Sequence, residues 1–190
     1  MSRWVPNAPE RLEGAAMELF IEHGYERVTV MAIAERAGLT KRTFFRHFAD
    51  KREVLFGGQQ VHRRLFADAI AGAPDAATPL EAIGEGLAAF AADLGDERRD
   101  FLAKRQAIID GNSDLREREL LKRATLTAAM AEALRERGVK APTASLAAEV
   151  GALALGAAYL RWLGPGNRQT LAKLAEHALR ELRAASEALR

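Results

Sequence analysis

Residues 30–48 read VMAIAERAGLTKRTFFRHF, the part of the sequence with the clearest structural pattern. Thr29 and Thr40 can each cap a short helix, and Gly38 between them suits the left-handed backbone that ends a helix and reverses the chain. The pattern therefore predicts two helices of seven or eight residues joined by a tight turn. This is helix-turn-helix geometry, in which the second helix enters the major groove of DNA and contacts base edges.

The second of these helices has two chemically different sides. At about 3.6 residues per turn, Phe44 and Phe48 share one side, which we expect to be buried. Arg46 lies opposite them, flanked by Arg42 and Thr43. Arginine can bind guanine O6 and N7 in a fork, and threonine can offer a hydroxyl or methyl group to a base. We expect this outer side to contact DNA, with His47 at one edge of it and Phe45 at the other.

Positive charge is concentrated around the same helix. The chain has a formal net charge of only +2, yet residues 36–52 set six cations against Asp50 alone. These cations are Arg36, Lys41, Arg42, Arg46, Lys51 and Arg52. Clustered positive charge of this kind can bind a polyanion such as DNA. A basic face that contacts only solvent has the same charge pattern. Lys41 and Lys51 lie at predicted helix starts, where free N–H groups also favour phosphate.

The spacing across both helices is more specific than a bare helix-turn-helix. It comprises Thr29, Val30, Ile33, Ala34, Ala37, Gly38, Leu39 and Thr40, followed by Phe44, Phe45, His47, Phe48 and Lys51. With these residues, the segment of about residues 10–56 resembles the DNA-binding domain of TetR-family transcriptional regulators. The resemblance implies a three-helix DNA-binding domain attached to a larger helical domain that dimerises and binds a small effector.

The resemblance also implies roles for individual residues. Thr40, Lys41, His47 and Lys51 fall where the family contacts phosphates, and Arg42, Thr43 and Arg46 fall at base-reading or backbone positions. Phe45 departs from the family pattern, since a tyrosine usually stands there and its hydroxyl reaches a phosphate. Phenylalanine keeps the ring but loses a hydrogen bond typically worth about 1 kcal/mol.

The rest of the 190-residue chain also has helical patterning. Alanine is the most frequent residue, apolar residues make up 48% and charged residues 28%, as in a globular helical protein. Asp50 and Glu53 form a D-x-x-E pattern that predicts a long fourth helix to about Ala71. We expect an all-α protein of about nine helices. Residues 1–55 would form the helix-turn-helix DNA-binding domain, and residues 56–190 an effector-binding and dimerisation domain.

The last two predicted helices are the candidate dimer interface. The eighth is apolar on two opposite sides, which requires a second covering surface. One side has Leu146, Val150, Leu153, Ala157 and Leu160; the other has Leu155, Ala158, Tyr159 and Trp162. The ninth has a wide apolar stripe of Leu171, Leu174, Ala178, Leu179, Leu182 and Leu189. We expect a homodimer on a palindromic operator; the alternative is a monomer with both helices in its core.

An effector pocket would lie among the fourth to eighth helices. His62 and Arg105 stand out because each is polar on an apolar stripe. A buried guanidinium needs a partner, so Arg105 must meet either a protein carboxylate or an anionic group of a ligand. His62 could contact a ligand, or it could be a core histidine whose hydrogen bonds are made within the protein. The candidate aromatic lining residues are Phe66, Phe90, Tyr159 and Trp162, for which a core role is equally compatible.

The sequence contains no motif typical of an enzyme or of a metal-binding or cofactor-binding protein. The chain has no cysteine, its four histidines are scattered, and the usual hydrolase, phosphate-loop and di-iron motifs are missing. We therefore expect no enzyme activity, metal or cofactor. No export signal or membrane span is evident, so the expected compartment is the cytoplasm.

The functional hypothesis is that the protein is a transcriptional repressor released from DNA by a small-molecule effector. Its alternatives are a helical ligand-binding or scaffolding protein without DNA binding, and a bundle enzyme.

Overall fold

The computed structural model describes residues 7–188, and within this range the protein contains nine α-helices and no strand. They are α1 (Ala8–His23), α2 (Val30–Arg36), α3 (Lys41–His47), α4 (Gln59–Ala71), α5 (Pro79–Leu94), α6 (Arg99–Asp110), α7 (Ser113–Glu136), α8 (Ala141–Leu163) and α9 (Leu171–Glu187). Short 3-10 turns cover Arg52–Leu55 and Asp96–Arg98. The all-helical prediction is confirmed. Leu189 and the end of the predicted ninth helix lie outside the described residues.

Most of the described helices begin at a residue whose side chain caps the backbone, including the predicted caps Thr29 and Thr40. Asn7, Thr29 and Thr40 each accept a hydrogen bond from the backbone N–H three residues on. Thr78 forms a complete capping box with Glu81, whose carboxylate accepts the Thr78 backbone N–H at 2.7 Å. This bond lowers the pKa of Glu81 below its ordinary value. The side-chain caps therefore fix the helix starts locally, before any long-range packing.

The chain divides into two compact units. The first unit comprises the described residues of Met1–Gly58 together with Lys104–Glu119, and the second comprises Gln59–Ala103 with the described residues of Leu120–Arg190. The proposed boundary between residues 55 and 56 remains a prediction. The sequence did not indicate that the end of α6 and the start of α7 would belong with the N-terminal helices.

In the first unit, α1 packs against both α2 and α3. The side chains at the centre of this packing are fully or almost fully buried; they are Leu12, Ala16, Phe20, Ile33, Ala34 and Phe44. The α6–α7 segment of the unit adds the buried side chains of Ile109 and Leu115. It also adds hydrogen bonds from Asn112 to the Glu26 carboxylate and from Arg118 to that of Glu53.

The prediction of one long helix from Asp50 to Ala71 is wrong. The Asp50 carboxylate does accept the backbone N–H groups of Arg52 and Glu53, at 2.8 and 3.1 Å. However, the turn it starts is a 3-10 turn that ends at Leu55, and α4 begins only at Gln59. Gly58 between them has φ +78°, a left-handed conformation that interrupts a helix. The adjacent Gly57 and Gly58 therefore end the turn that Asp50 caps, and the helix does not continue through them.

In the second unit, α5 packs against α4, α8 and α9, and α8 packs against α9. Glycines allow this close packing, because a side chain at Gly151 would collide with Ile83, and one at Gly86 with Phe66. Among the described residues, α8 is the one helix long and apolar enough to cross a membrane by length and composition alone. Its inner side, which includes Ala148, Ala158 and Trp162, is buried in this unit.

Arg137 closes the C-terminal end of α4. Its guanidinium donates hydrogen bonds to the carbonyls of Ile70, Ala71, Ala73 and Pro74, at 2.7–3.0 Å. Ile70 and Ala71 lie in the last turn of α4, where carbonyls lack a partner within the helix, and the negative end of the helix dipole favours a cation there. We expect Arg137→Met to lower the free energy of unfolding by about 1.5–3 kcal/mol.

Chemical denaturation followed by circular dichroism would measure this loss. Arg135→Met is the matched control, since Arg135 lies on the same turn and is paired at the surface with Glu132. Exposed pairs of this kind contribute little. Equal effects of the two substitutions would show that the carbonyl contacts of Arg137 do not stabilise the unit.

Candidate nucleic-acid interface

The turn before α3 is built by backbone geometry. Gly38 has φ +63°, and the N–H of Leu39 donates to the carbonyl of Ala34 at 2.8 Å, closing the end of α2. This is the bonding of a Schellman motif, which needs a glycine at the left-handed position. The Thr40 hydroxyl then accepts the backbone N–H of Thr43 at 3.1 Å and starts α3. The predicted helix-turn-helix is confirmed.

The inner side of α3 is anchored by two aromatic rings. Phe44 is fully buried and Phe48 is 6% exposed, with their ring centroids 5.4 Å apart. A helix of seven residues is too short to be stable alone, so this burial holds it in place. The anchoring fixes which side chains point to solvent.

The outer side of α3 presents the cations predicted from the sequence. Arg42 and Arg46 are exposed, and neither forms an ion pair within residues 7–188. The Thr43 hydroxyl lies 3.0 Å from that of Thr40, and Arg46 Nη2 lies 3.3 Å from His47 Nε2. The structure therefore brings Arg42, Thr43, Arg46 and His47 onto one accessible surface. Their contacts with DNA remain predictions.

Two cations of the basic segment are neutralised within the protein. Arg36 forms ion pairs with Glu18 at 3.2 Å and Glu22 at 2.9 Å, both from α1. These bonds raise the pKa of Arg36, and the hydrogen bond from Arg36 lowers the pKa of Glu22. Arg52 pairs with Asp50 at 2.8 Å. The charge left without such a carboxylate partner therefore lies largely on α3 itself.

Lys51 is directed into the protein. Its ammonium donates to the carbonyls of Tyr25 at 2.8 Å and Val28 at 3.0 Å, and it lies 4.1 Å from the centroid of the Tyr25 ring. Desolvation lowers the pKa of Lys51, and burial raises the pKa of Tyr25 to about 12. This placement favours a role in closing the loop before α2. The predicted phosphate contact would require Lys51 to share or leave these carbonyls.

Lys41 and Phe45 lie together at the other edge of α3. The Lys41 ammonium is 5.9 Å from the centroid of the Phe45 ring. Phe45 is 48% exposed and packs edge-on against Phe44, with centroids 5.5 Å apart. Lys41 is exposed at the first position of the helix. The structure thus keeps both residues on the candidate DNA surface.

The predicted ligand-binding residues do not form one group. In the second unit, Phe90 contacts the rings of His62 and Phe66, with centroids 5.0 and 5.5 Å apart. Tyr159 contacts Trp162, whose indole N–H donates to Asp96. These aromatic residues are packed as core side chains. Their ligand-binding role remains a prediction.

Arg105 belongs to the first unit and is satisfied there. Its guanidinium donates to the carbonyl of Leu55, lies 5.2 Å from the Phe56 ring centroid and is 4.0 Å from the Glu119 carboxylate. This arrangement favours the internal salt bridge over the anionic ligand, the two alternatives open from the sequence. The partners come from distant parts of the chain, so no local signal could have indicated them.

A shallow depression of about 260 Å³ lies between α4 and α7 in the second unit. Its lining is mostly charged or small: Gln60, Arg63, Arg64, Ala67, Ala129, Glu132, Ala133 and Glu136. None of the predicted ligand-binding residues lines it. It gives no support to the pocket predicted from the sequence.

Comparison with known proteins agrees with this geometry. Residues 14–56 match the model for bacterial regulatory proteins of the tetR family. This match covers α2, the turn, α3 and most of α1. The N-terminal helices of the chain are thus similar to the tetR family of bacterial regulatory proteins. The resemblance seen in the sequence is therefore confirmed over these residues, and a match to regulatory proteins agrees with the expectation that the chain is not an enzyme.

Similar transcriptional regulators are known in sequence and in structure. The transcriptional regulator TcmR of Streptomyces glaucescens is 37% identical over 108 residues, 51% of this chain and 46% of that protein. The repressor AcnR of Corynebacterium diphtheriae is 34% identical over 102 residues, 52% of this chain and 46% of that protein. The chain thus spans about half the length of these relatives. Thermus thermophilus FadR superposes with a TM-score of 0.57 at 25% identity, covering 92% of this chain and 93% of that one.

Proposed function

We propose that the protein is a homodimeric transcriptional repressor that binds a palindromic DNA operator through α3 and is released by a small-molecule effector. The observation that carries the proposal is the outer side of α3. Arg42 and Arg46 are exposed there and have no carboxylate partner in the described chain, whereas Arg36 and Arg52 are paired internally. Guanidinium groups held in this way on a rigid helix suit guanine bases and phosphates. A repressor of this kind acts where the DNA is, in the cytoplasm.

The outer side of α8 supports the dimer. Leu146, Leu153 and Leu160 are 68, 55 and 62% exposed in the single chain, while Ala158 and Trp162 on the other side are buried. The leucines follow at intervals of seven residues, so they form one stripe along the helix. Together with Val150 and Ala157 they are the predicted second apolar side, and a second copy of the chain would cover them.

The ninth helix would contribute differently from what the sequence suggested. Its apolar residues Leu171, Leu174 and Ala178 are already buried within the second unit. Its outer side carries exposed pairs such as Glu176 with Arg180 at 3.8 Å and Arg183 with Glu187 at 3.7 Å. In the proposed dimer, α8 therefore supplies the apolar centre and α9 a charged margin.

The proposal of an effector is supported by the relatives. The Thermus thermophilus FadR is described as a repressor and was solved in complex with lauroyl-CoA, which shows that a protein with this fold binds a small molecule. AcnR is likewise named as a repressor. In this chain, an effector would have to displace packed side chains such as Phe66 and Phe90, or bind a conformation of the protein in which they are packed differently.

A salt titration tests the central claim. Fluorescence anisotropy with a labelled non-specific duplex should show binding at about 50 mM salt that weakens steeply as salt increases, because phosphate contacts release counterions. Selection of bound sequences from a random duplex pool should then yield a palindrome. Absence of any duplex binding would favour a ligand-binding or scaffolding protein and overturn the proposal.

Arg42→Ala should lower affinity for the selected operator by about 1–3 kcal/mol and relax the base preference at one position in each half-site. Affinities for operators carrying each of the other bases at that position would measure this. Arg42→Lys is the control, because lysine keeps the positive charge but lacks the planar fork. It should retain non-specific affinity and still lose the base preference. A uniform loss over all sequences would instead identify Arg42 as a phosphate contact.

A further inference from the structure

We propose that Phe45 is a specificity-determining residue that contacts the 5-methyl group of a thymine next to the base contacted by Arg42. This inference rests on the proposed DNA-binding function. It concerns the one position of α3 at which the chain departs from the family pattern. A phenylalanine there has no hydroxyl for a phosphate, yet the structure keeps its ring on the accessible surface.

The environment of Phe45 differs from that of the other two aromatic residues of this helical turn. Phe44 and Phe48 are buried, whereas about half of the Phe45 side chain is exposed. The ring is held at 81° to the ring of Phe44, an edge-to-face contact that restricts its orientation. Lys41 occupies a position beside it, 5.9 Å from its centroid. Phe45 is therefore an apolar surface of fixed orientation, bordered by a cation.

The apolar groups available in a duplex limit what such a ring can contact. In the major groove, the thymine 5-methyl group is the apolar feature of the base edges, and phenylalanine is one of the side chains that contact it. Deoxyribose is the other apolar surface, and it carries no sequence information. A ring on the same helix face as a base-reading arginine is better placed for the methyl group.

The position relative to Arg42 defines which thymine is contacted. Phe45 follows Arg42 by three residues, so their Cβ atoms are neighbours about 5–6 Å apart on the helix surface. Successive bases on one strand are about 3.4 Å apart. Two neighbouring side chains of α3 therefore span adjacent base pairs. The half-site should contain a thymine directly beside the position at which Arg42→Ala relaxes the preference.

Deoxyuridine provides the test, because it differs from thymidine only by the missing methyl group. Starting from the selected operator, each thymine is replaced in turn by deoxyuridine in both half-sites. We expect one symmetric pair of positions to lose affinity for the wild-type protein, by about fourfold per half-site and roughly fifteenfold for the operator, from the burial of one methyl group on each side. The other thymines should show little effect.

The same operators are then bound by Phe45→Ala and Phe45→Tyr. In Phe45→Ala the deoxyuridine effect at that position should disappear, whereas Phe45→Tyr keeps the ring and should retain it. Comparing the four combinations of protein and operator removes any general effect of the substitution on α3. Circular dichroism spectra and thermal melts establish that each variant is folded.

The outcomes separate the inference from the function on which it rests. The inference is overturned if no deoxyuridine position weakens wild-type binding, or if the effect persists undiminished in Phe45→Ala. A uniform loss of affinity in Phe45→Ala, without any deoxyuridine effect, identifies a deoxyribose contact and also overturns it. If the wild-type protein shows no sequence-selective binding, the proposed function itself fails.

Discussion

Replacing both Leu153 and Leu160 by glutamate should convert the protein to a monomer and lower its operator affinity by about 10²–10⁴-fold. Both leucines are more than half exposed on the outer side of α8 and lie two turns apart. In the proposed dimer, the substitution would bury carboxylates without partners, which is costly enough to separate the subunits. A monomer can engage only one half-site, so the gain from binding two linked half-sites is lost. Analytical ultracentrifugation and operator titration would measure the two effects.

Ile21→Glu is the matched control for this pair. Ile21 is 55% exposed, the same value as Leu153, but it lies on α1 in the first unit. Its replacement should leave the sedimentation coefficient of the dimer unchanged. If the double glutamate variant also sediments as the wild-type protein does, α8 is not the dimer interface. Thermal melts of both variants would establish that each is folded.

Local chemistry explains which parts of the fold could be predicted from the sequence. Thr29, Thr40 and Thr78 cap helices through bonds that span three residues, so their sequence pattern alone indicates them. The positions of Phe44 and Arg46 on opposite sides of α3 follow from helix periodicity. For the same reason, the outer stripe of α8 could be recognised as a surface in need of a partner.

Long-range contacts explain what could not be predicted. Arg118 bonds to Glu53, and Arg105 to the carbonyl of Leu55, across fifty or more residues of sequence. Nothing local pairs these positions, so the inclusion of residues 104–119 in the first unit could not be anticipated. The same limit applies to Lys51, whose residue type suggested a phosphate contact although its ammonium reaches carbonyls of the preceding loop.

The candidate DNA surface depends on the burial of Phe44, and Phe44→Ala should lower the free energy of unfolding of the first unit by about 3–5 kcal/mol. The ring is fully buried on a helix of seven residues, so its removal leaves a cavity beneath the whole of α3. Hydrogen exchange measured by mass spectrometry should show this in peptides covering residues 30–48. Their protected amides should exchange about 10²–10⁴-fold faster than in the wild-type protein.

Phe45→Ala makes the same chemical change one residue further along and is the natural control. Because about half of this side chain is already exposed, its removal should change exchange in the same peptides less than tenfold. Equal acceleration in both variants would show that α3 is not held by its inner aromatic side. The outer arginines would then lack the fixed orientation on which base recognition depends. The predicted contrast between two adjacent phenylalanines thus tests the anchoring of the helix independently of any DNA measurement.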